Sequence, residues 1–148
     1  MAVLHDPEAR ANLRRRIESL TPETPRQWGK MTIDQMLWHL NEGLSMSLGK
    51  ITPVPFKTPL PKFLMKFLVI NVPWPKGAPT VPEIAAKKGD SHDFAAEKSR
   101  LLALIDEFAA KDINGQWAPS PGFGAMTGKE SSTLAAKHLA HHLNQFGV

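Results

Sequence analysis

Eight of the chain's 13 prolines lie between Pro53 and Pro82. Proline has no amide hydrogen to donate and its ring clashes with the preceding turn, so no long helix and no central strand can run through that stretch. Regular structure must therefore stand on either side of it.

On both sides the apolar residues recur at helical spacing. Asp6 is a good N-cap and Pro7 suits the first helical position, so a helix is expected from about Asp6 to Leu20. Ala9, Leu13, Ile17 and Leu20 lie on one face of it, and Thr21, Pro22 and Pro25 end it. A second helix is expected from Thr32, with Gln35 completing a capping box. Its apolar face is Ile33, Met36, Leu37, Leu40, Leu44 and Leu48, and Gly49 marks its end.

Beyond the prolines, Ser91 to Lys111 reads as a third long helix with Phe94, Leu101, Leu104, Ile105 and Phe108 inward. A loop holding Trp117, Pro119, Pro121, Gly122 and Gly124 follows. Thr127 and Glu130 then form another capping box and open a final helix that continues almost to the last residue. Strand alternation and internal repeats are absent.

Four long helices with one long connection make an all-α four-helix bundle the expected architecture, in a single domain over residues 1–148. Neighbouring antiparallel helices need only a short loop, so the Pro-rich crossover between helices 2 and 3 points to two helices running parallel. Inside the crossover, Pro61 to Asn71 can form a short apolar helix through Phe63, Leu64, Phe67 and Leu68. It is too short to span a bilayer and carries Lys62 and Lys66, so it is expected to pack over one end of the core, with no membrane partner.

Composition narrows the function classes. The chain has no cysteine, which excludes disulfides, thiolate metal sites and a cysteine nucleophile, and fits a reducing compartment. Met1 to Arg16 has no apolar run followed by a small-residue cleavage site, so a cytoplasmic location is expected. Net charge is +4, with an obvious basic cluster at Arg14, Arg15 and Arg16. Consecutive helical residues point ~100° apart, so these three make no flat phosphate-facing patch. They read as a solvated helix face, and no nucleic-acid partner is expected.

Three of the six histidines fall in Lys137-His138-Leu139-Ala140-His141-His142. Helical positions i and i+4 differ by ~40° in direction, so His138 and His142 share a face with Cβ atoms ~6 Å apart. That spacing suits two imidazoles on one metal ion. His141 is turned ~60° the other way from His138 and is the poorer partner. Each histidine has other readings: near a helix C-terminus it can serve the helix dipole, and partly buried it can satisfy a carbonyl. His39, beside the apolar face of the second helix, would complete three neutral ligands if the bundle brought it across, and alone it reads as a hydrogen-bonded core residue. His5 and His92, near helix starts, read as surface residues. The chain has no His-Glu-x-x-His motif, phosphate loop or Gly-x-Ser-x-Gly elbow.

The run His138-Leu139-Ala140-His141-His142-Leu143-Asn144-Gln145 resembles the last-helix pattern His-x-x-His-His-Arg-x-Gln of the DinB/YfiT-like superfamily of metal-dependent bacterial proteins. Trp28-Gly29-Lys30-Met31-Thr32, Phe123-Gly124-Ala125-Met126-Thr127 and Gln145-Phe146-Gly147 are similar to one of its branches. Leu143 stands where the superfamily has arginine, Ser120 where the branch has histidine, and Ser131–Ser132 where it has tryptophan.

The resemblance implies an up-down-down-up bundle, a homodimer, and a divalent transition metal (zinc, nickel or iron) held by His39, His138 and His142. It also implies a small-molecule substrate and, as in some members, S-transfer or isomerisation with a low-molecular-weight thiol. In that setting Gln35 and Gln145 are expected to hydrogen-bond the ligands and Glu42 to act as general base. Trp28, Trp38, Trp74, Trp117 and Phe123 would line a pocket, or else belong to ordinary core. The alternative is a non-catalytic protein that binds a small ligand, or a dimeric stress-associated protein.

Overall fold

The computed structural model of the chain describes residues 1–78, 80 and 82–148. Pro79, one of the crossover prolines, lies outside the described residues. Among the described residues there are five α-helices: α1 (Pro7–Glu18), α2 (Ile33–Ser47), α3 (Lys62–Asn71), α4 (Phe94–Ala110) and α5 (Gly128–Gln145), with a short 3₁₀ turn at Pro82–Ile84. Among the described residues there is no strand, only an isolated bridge between Ser120 and Gly124.

The helix ends follow local chemistry. Asp6 accepts from the amides of Glu8 and Ala9 at the start of α1. Thr127 and Glu130 exchange both capping-box bonds, at 2.9 and 3.1 Å. The start of α4 differs from expectation by a few residues: Asp93, whose carboxylate takes the Ala96 amide at 2.8 Å, is the cap, so Ser91 and His92 stay outside.

The long helices touch in pairs: α2 with α4 and α5, and α1 with α5 and α4. Their inward faces form one core that includes Leu13, Ile17, Met36, Leu40, Leu101, Phe108 and Leu139. Two of the three consecutive arginines are not a solvated face. Arg14 bonds the Leu102 carbonyl and Asp106, tying α1 to α4, and Arg16 bonds Asn144 and the Val148 carbonyl beyond α5.

Nor is His5 a surface residue. Its ring bridges the Ser132 hydroxyl and the Lys111 carbonyl at 2.9 and 2.8 Å, and it packs against Phe108 and Trp117. His92 is likewise half-buried, stacked on Trp38 with ring centroids 5.1 Å apart.

Helix α3 forms where expected and lies against α5. Ile70 is its one buried residue, and Lys137 of α5 fastens its C-terminal end by donating to the carbonyls of Val69, Ile70 and Val72. Phe63 and Phe67 stay in solvent, 72% and 59% exposed. Truncating Leu139, 1% exposed, should therefore cost about 2–5 kcal/mol in guanidinium unfolding. Phe63→Ala should stay within about 0.5 kcal/mol of wild type.

Candidate metal centre

Helices α2 and α5 meet through histidines. His39 comes from the middle of α2, and His138 and His142 come from successive turns of α5. One ring nitrogen from each lies within 4.8 Å of the others. The three rings pack edge to face, with centroids 4.7 to 4.8 Å apart in every pair. His141 is outside this group. Its ring lies edge-on to Trp28 and Trp74, at 5.0 and 5.3 Å.

Neighbouring acceptors fix two of the tautomers. His39 Nδ1 is 2.6 Å from the carbonyl oxygen of Ile84, in the 3₁₀ turn of the crossover. A carbonyl can only accept, so Nδ1 carries the hydrogen and Nε2 keeps its lone pair. Gln145 Nε2 donates to the Trp28 carbonyl at 3.0 Å, which sets the orientation of the amide. Its oxygen then accepts from His142 Nδ1 at 2.8 Å, leaving His142 Nε2 as the free lone pair. His39 Nε2 and His138 Nε2 are 2.8 Å apart, a hydrogen-bond distance at which His138 is the donor.

The electrostatics agree. Burial holds His39 below the usual histidine range, partly offset by its bond to Ile84. Burial first, then the adjacent His39, His142 and His141, hold His138 well below it. His142 is pushed down to about 3 by burial and by His39, against the raising effect of Gln145. All three are neutral near pH 7, the state in which imidazole ligates.

Three neutral nitrogens with no carboxylate favour a borderline transition ion over calcium or magnesium. Two nitrogens on one tetrahedral ion stand ~3.3 Å apart, given bonds of ~2.0–2.1 Å. For an ion to sit between them, His39 and His138 would have to part by roughly half an ångström and His138 would have to carry its hydrogen on Nδ1 instead of Nε2. The donor set fits in kind, and the rings would have to bring nitrogens that lie within 4.8 Å of one another to that spacing.

Two glycines make room. A Cβ on Gly43 would stand 3.2 Å from His138 Cε1 and 3.3 Å from its Nδ1. Gly29, at φ +86°, lies where a side chain would collide with Gln145 Nε2. The Ile84 carbonyl, the Trp28 carbonyl and Gly43 were not identified from sequence. Only Gly43, one turn from His39 on the same helix, leaves a sequence trace.

The remaining expected site residues are placed elsewhere. Gln35 accepts from the Thr32 amide at 3.0 Å and donates to the Asp90 carbonyl at 2.9 Å, so it caps α2 and pins the crossover, and it makes no hydrogen bond to a histidine among the described residues. Glu42 turns toward α4 and bonds Arg100 at 2.8 Å. Of the aromatic residues, Trp28 and Trp74 flank the cluster. Trp38 stacks on His92, Trp117 packs with Phe108 and His5, and Phe123 sits in the loop closed by the Ser120–Gly124 bridge.

Fold and site together define a helical protein with a three-histidine cluster that could hold a metal ion. The chain belongs to the DinB superfamily, which it matches over residues 7–146, and that span includes all five helices and all three histidines. No curated protein and no solved structure matches the chain.

Two outcomes are expected. Gly43→Ala should weaken metal binding at least tenfold by crowding His138, while the melting temperature holds or rises, because alanine is worth about 0.5–1 kcal/mol over glycine within a helix. Equilibrium dialysis beside thermal melts separates the two effects. The metal-free protein should also lose stability as pH falls. The unfolded histidines titrate near 6.5 and the folded ones lower, so between those values the unfolded chain binds more protons and gains ground. Denaturant titrations from pH 7 to pH 5 should show that loss, and His142→Gln should flatten it.

Proposed function

We propose that the protein is a metal-dependent enzyme that transfers or rearranges a thiol conjugate, with His39, His138 and His142 holding zinc, nickel or iron. The observation that carries this reading is the tautomer control at His39 and His142, where Ile84 and Gln145 leave a lone pair facing the cluster on each ring. When bound, such an ion lowers the pKa of a water or thiol in its remaining position and so supplies a nucleophile near neutral pH. Three protein ligands rather than four leave that position open. The up-down-down-up arrangement is part of the same reading, since it accounts for the long crossover between α2 and α4.

The chain's own residues would divide the work. Trp28 and Trp74 give the substrate apolar walls. His141, edge-on to both and held neutral by burial and then by Lys137, is placed to take a proton. That role passes to His141 because the Glu42 carboxylate is engaged with Arg100.

Metal analysis of the purified, untagged protein should find about one transition-metal equivalent per chain. His39→Ala, His138→Ala and His142→Ala should each lose it. His141→Gln should keep the metal and lose turnover. Mercaptoethanol added to a cobalt-substituted sample should shift its electronic spectrum. A metal-loaded protein whose spectrum ignores thiols would be a binding protein with a closed site, and a protein indifferent to added zinc and nickel would have no metal function.

A further inference from the structure

The crossover carries a second surface that the histidine site does not use. Between Lys50 and Pro82 there are five lysines and no aspartate or glutamate, while the rest of the chain is nearly balanced in charge. Within that segment Val54, Phe56, Leu60, Phe63, Phe67 and Val72 are all exposed, Val54 and Phe63 by more than 70%. Phe63 and Phe67 are one turn apart on α3 and form a single ridge. Lys57, Lys62 and Lys76 of the same segment are exposed, with no ion-pair partner among the described residues. The two acidic side chains that reach the segment are engaged, Glu83 with the Val54 amide and Glu130 with Lys66.

We propose that this face docks on the surface of an anionic lipid bilayer. An apolar ridge on a short helix flanked by lysines is the pattern of a segment that lies in the membrane interface, with aromatic rings among the acyl chains and ammonium groups at the headgroups. At ten residues, α3 is about 15 Å long and cannot cross a ~30 Å hydrocarbon core. No helix of the described chain is long and apolar enough to do so. Charge complementarity favours lipid over a second copy, because a two-fold contact through this face would bring the exposed Lys57, Lys62 and Lys76 of both chains together with no acidic residue of the segment to offset them. The anchoring by Lys137 of α5 suits the role, since it holds α3 to the body of the protein while its apolar ridge stays free. The same segment continues through Val72 to Trp74, which lies against His138 and His141, so docking would bring the aromatic wall of the histidine site close to the lipid.

Co-sedimentation of the full chain with vesicles tests this independently of any metal. Vesicles of phosphatidylglycerol and phosphatidylcholine should carry the protein down, added salt should release it, and phosphatidylcholine alone should not bind it. Phe63→Ser with Phe67→Ser should lower partitioning at least tenfold, and each of Lys57→Gln, Lys62→Gln and Lys76→Gln by roughly fivefold. All five positions are exposed, and unchanged circular dichroism would confirm that the variants fold. Absent sedimentation, equal binding to both vesicle types, or wild-type binding by the double Phe variant would overturn the proposal. So would a dimer in sedimentation equilibrium that the double Phe variant dissociates, which would make the face a contact between copies of this chain.

Discussion

Three imidazoles packed ring against ring cannot all carry charge, and the region where α2, α5 and the Pro82–Ile84 turn meet is built around keeping them neutral. At that density each protonation would place a cation against its neighbours with little water to screen it. The rings are therefore committed to one protonation state before any ligand arrives, and the surrounding hydrogen bonds choose the tautomer. A carbonyl from the crossover serves His39, and an amide serves His142. That amide is held in turn by the backbone carbonyl of Trp28. The chain is thus bound at three distant points by the requirement that two nitrogens face inward.

This constraint explains features that core packing does not. The loop before α2 must bring Trp28 to the end of α5, and Gly29, in a left-handed conformation, lets the backbone lie against Gln145 where any side chain would collide. Gly43 sits mid-helix, where glycine weakens the helix, and a methyl group there would crowd the opposing ring of His138 at 3.2 Å. The crossover must return to α2 in order to place the Ile84 carbonyl on His39.

What the sequence revealed and what it hid divide along the same line. Local signals were readable: Asp6, Thr127 and Glu130 set helix starts, and the i, i+4 spacing put His138 and His142 on one face. That His39 joins them depends on how α2 packs on α5, which periodicity constrains only to a face. The Ile84 and Trp28 contributions are backbone atoms and leave no trace in residue identity. Gln35 and Gln145 looked equivalent, each one turn from a histidine, yet Gln35 stands third in its helix, where the Thr32 amide competes for its side chain and wins. The ion pair of Glu42 was hidden for a similar reason, since Arg100 is 58 residues away. His5 and His92 looked superficial because their burying partners, Ser132 and Trp38, are remote in sequence or face them only after folding.

The apolar core and the histidine cluster are separable, and this bears on what a metal could be for. The core residues run from Leu4 and Leu13 through Met36, Leu101 and Phe108 to Leu143, so apolar burial covers every long helix without using the imidazoles. A structural ion usually compensates for a core too small to hold a domain together. Here the core is ample, and the cluster instead adds costs: buried polar rings, a mid-helix glycine and a loop position restricted to glycine. Expensive local arrangements on a sufficient scaffold are expected where the chain is held for chemistry rather than for stability. The crossover extends the same argument. Few of its described residues are buried, yet it supplies the Ile84 carbonyl and Trp74 to the cluster and also carries the exposed lysines and the apolar ridge. A segment with so little core of its own is kept in place by polar anchors, Lys137 on α3 and Gln35 on Asp90, and those anchors leave its outer face free to meet something else.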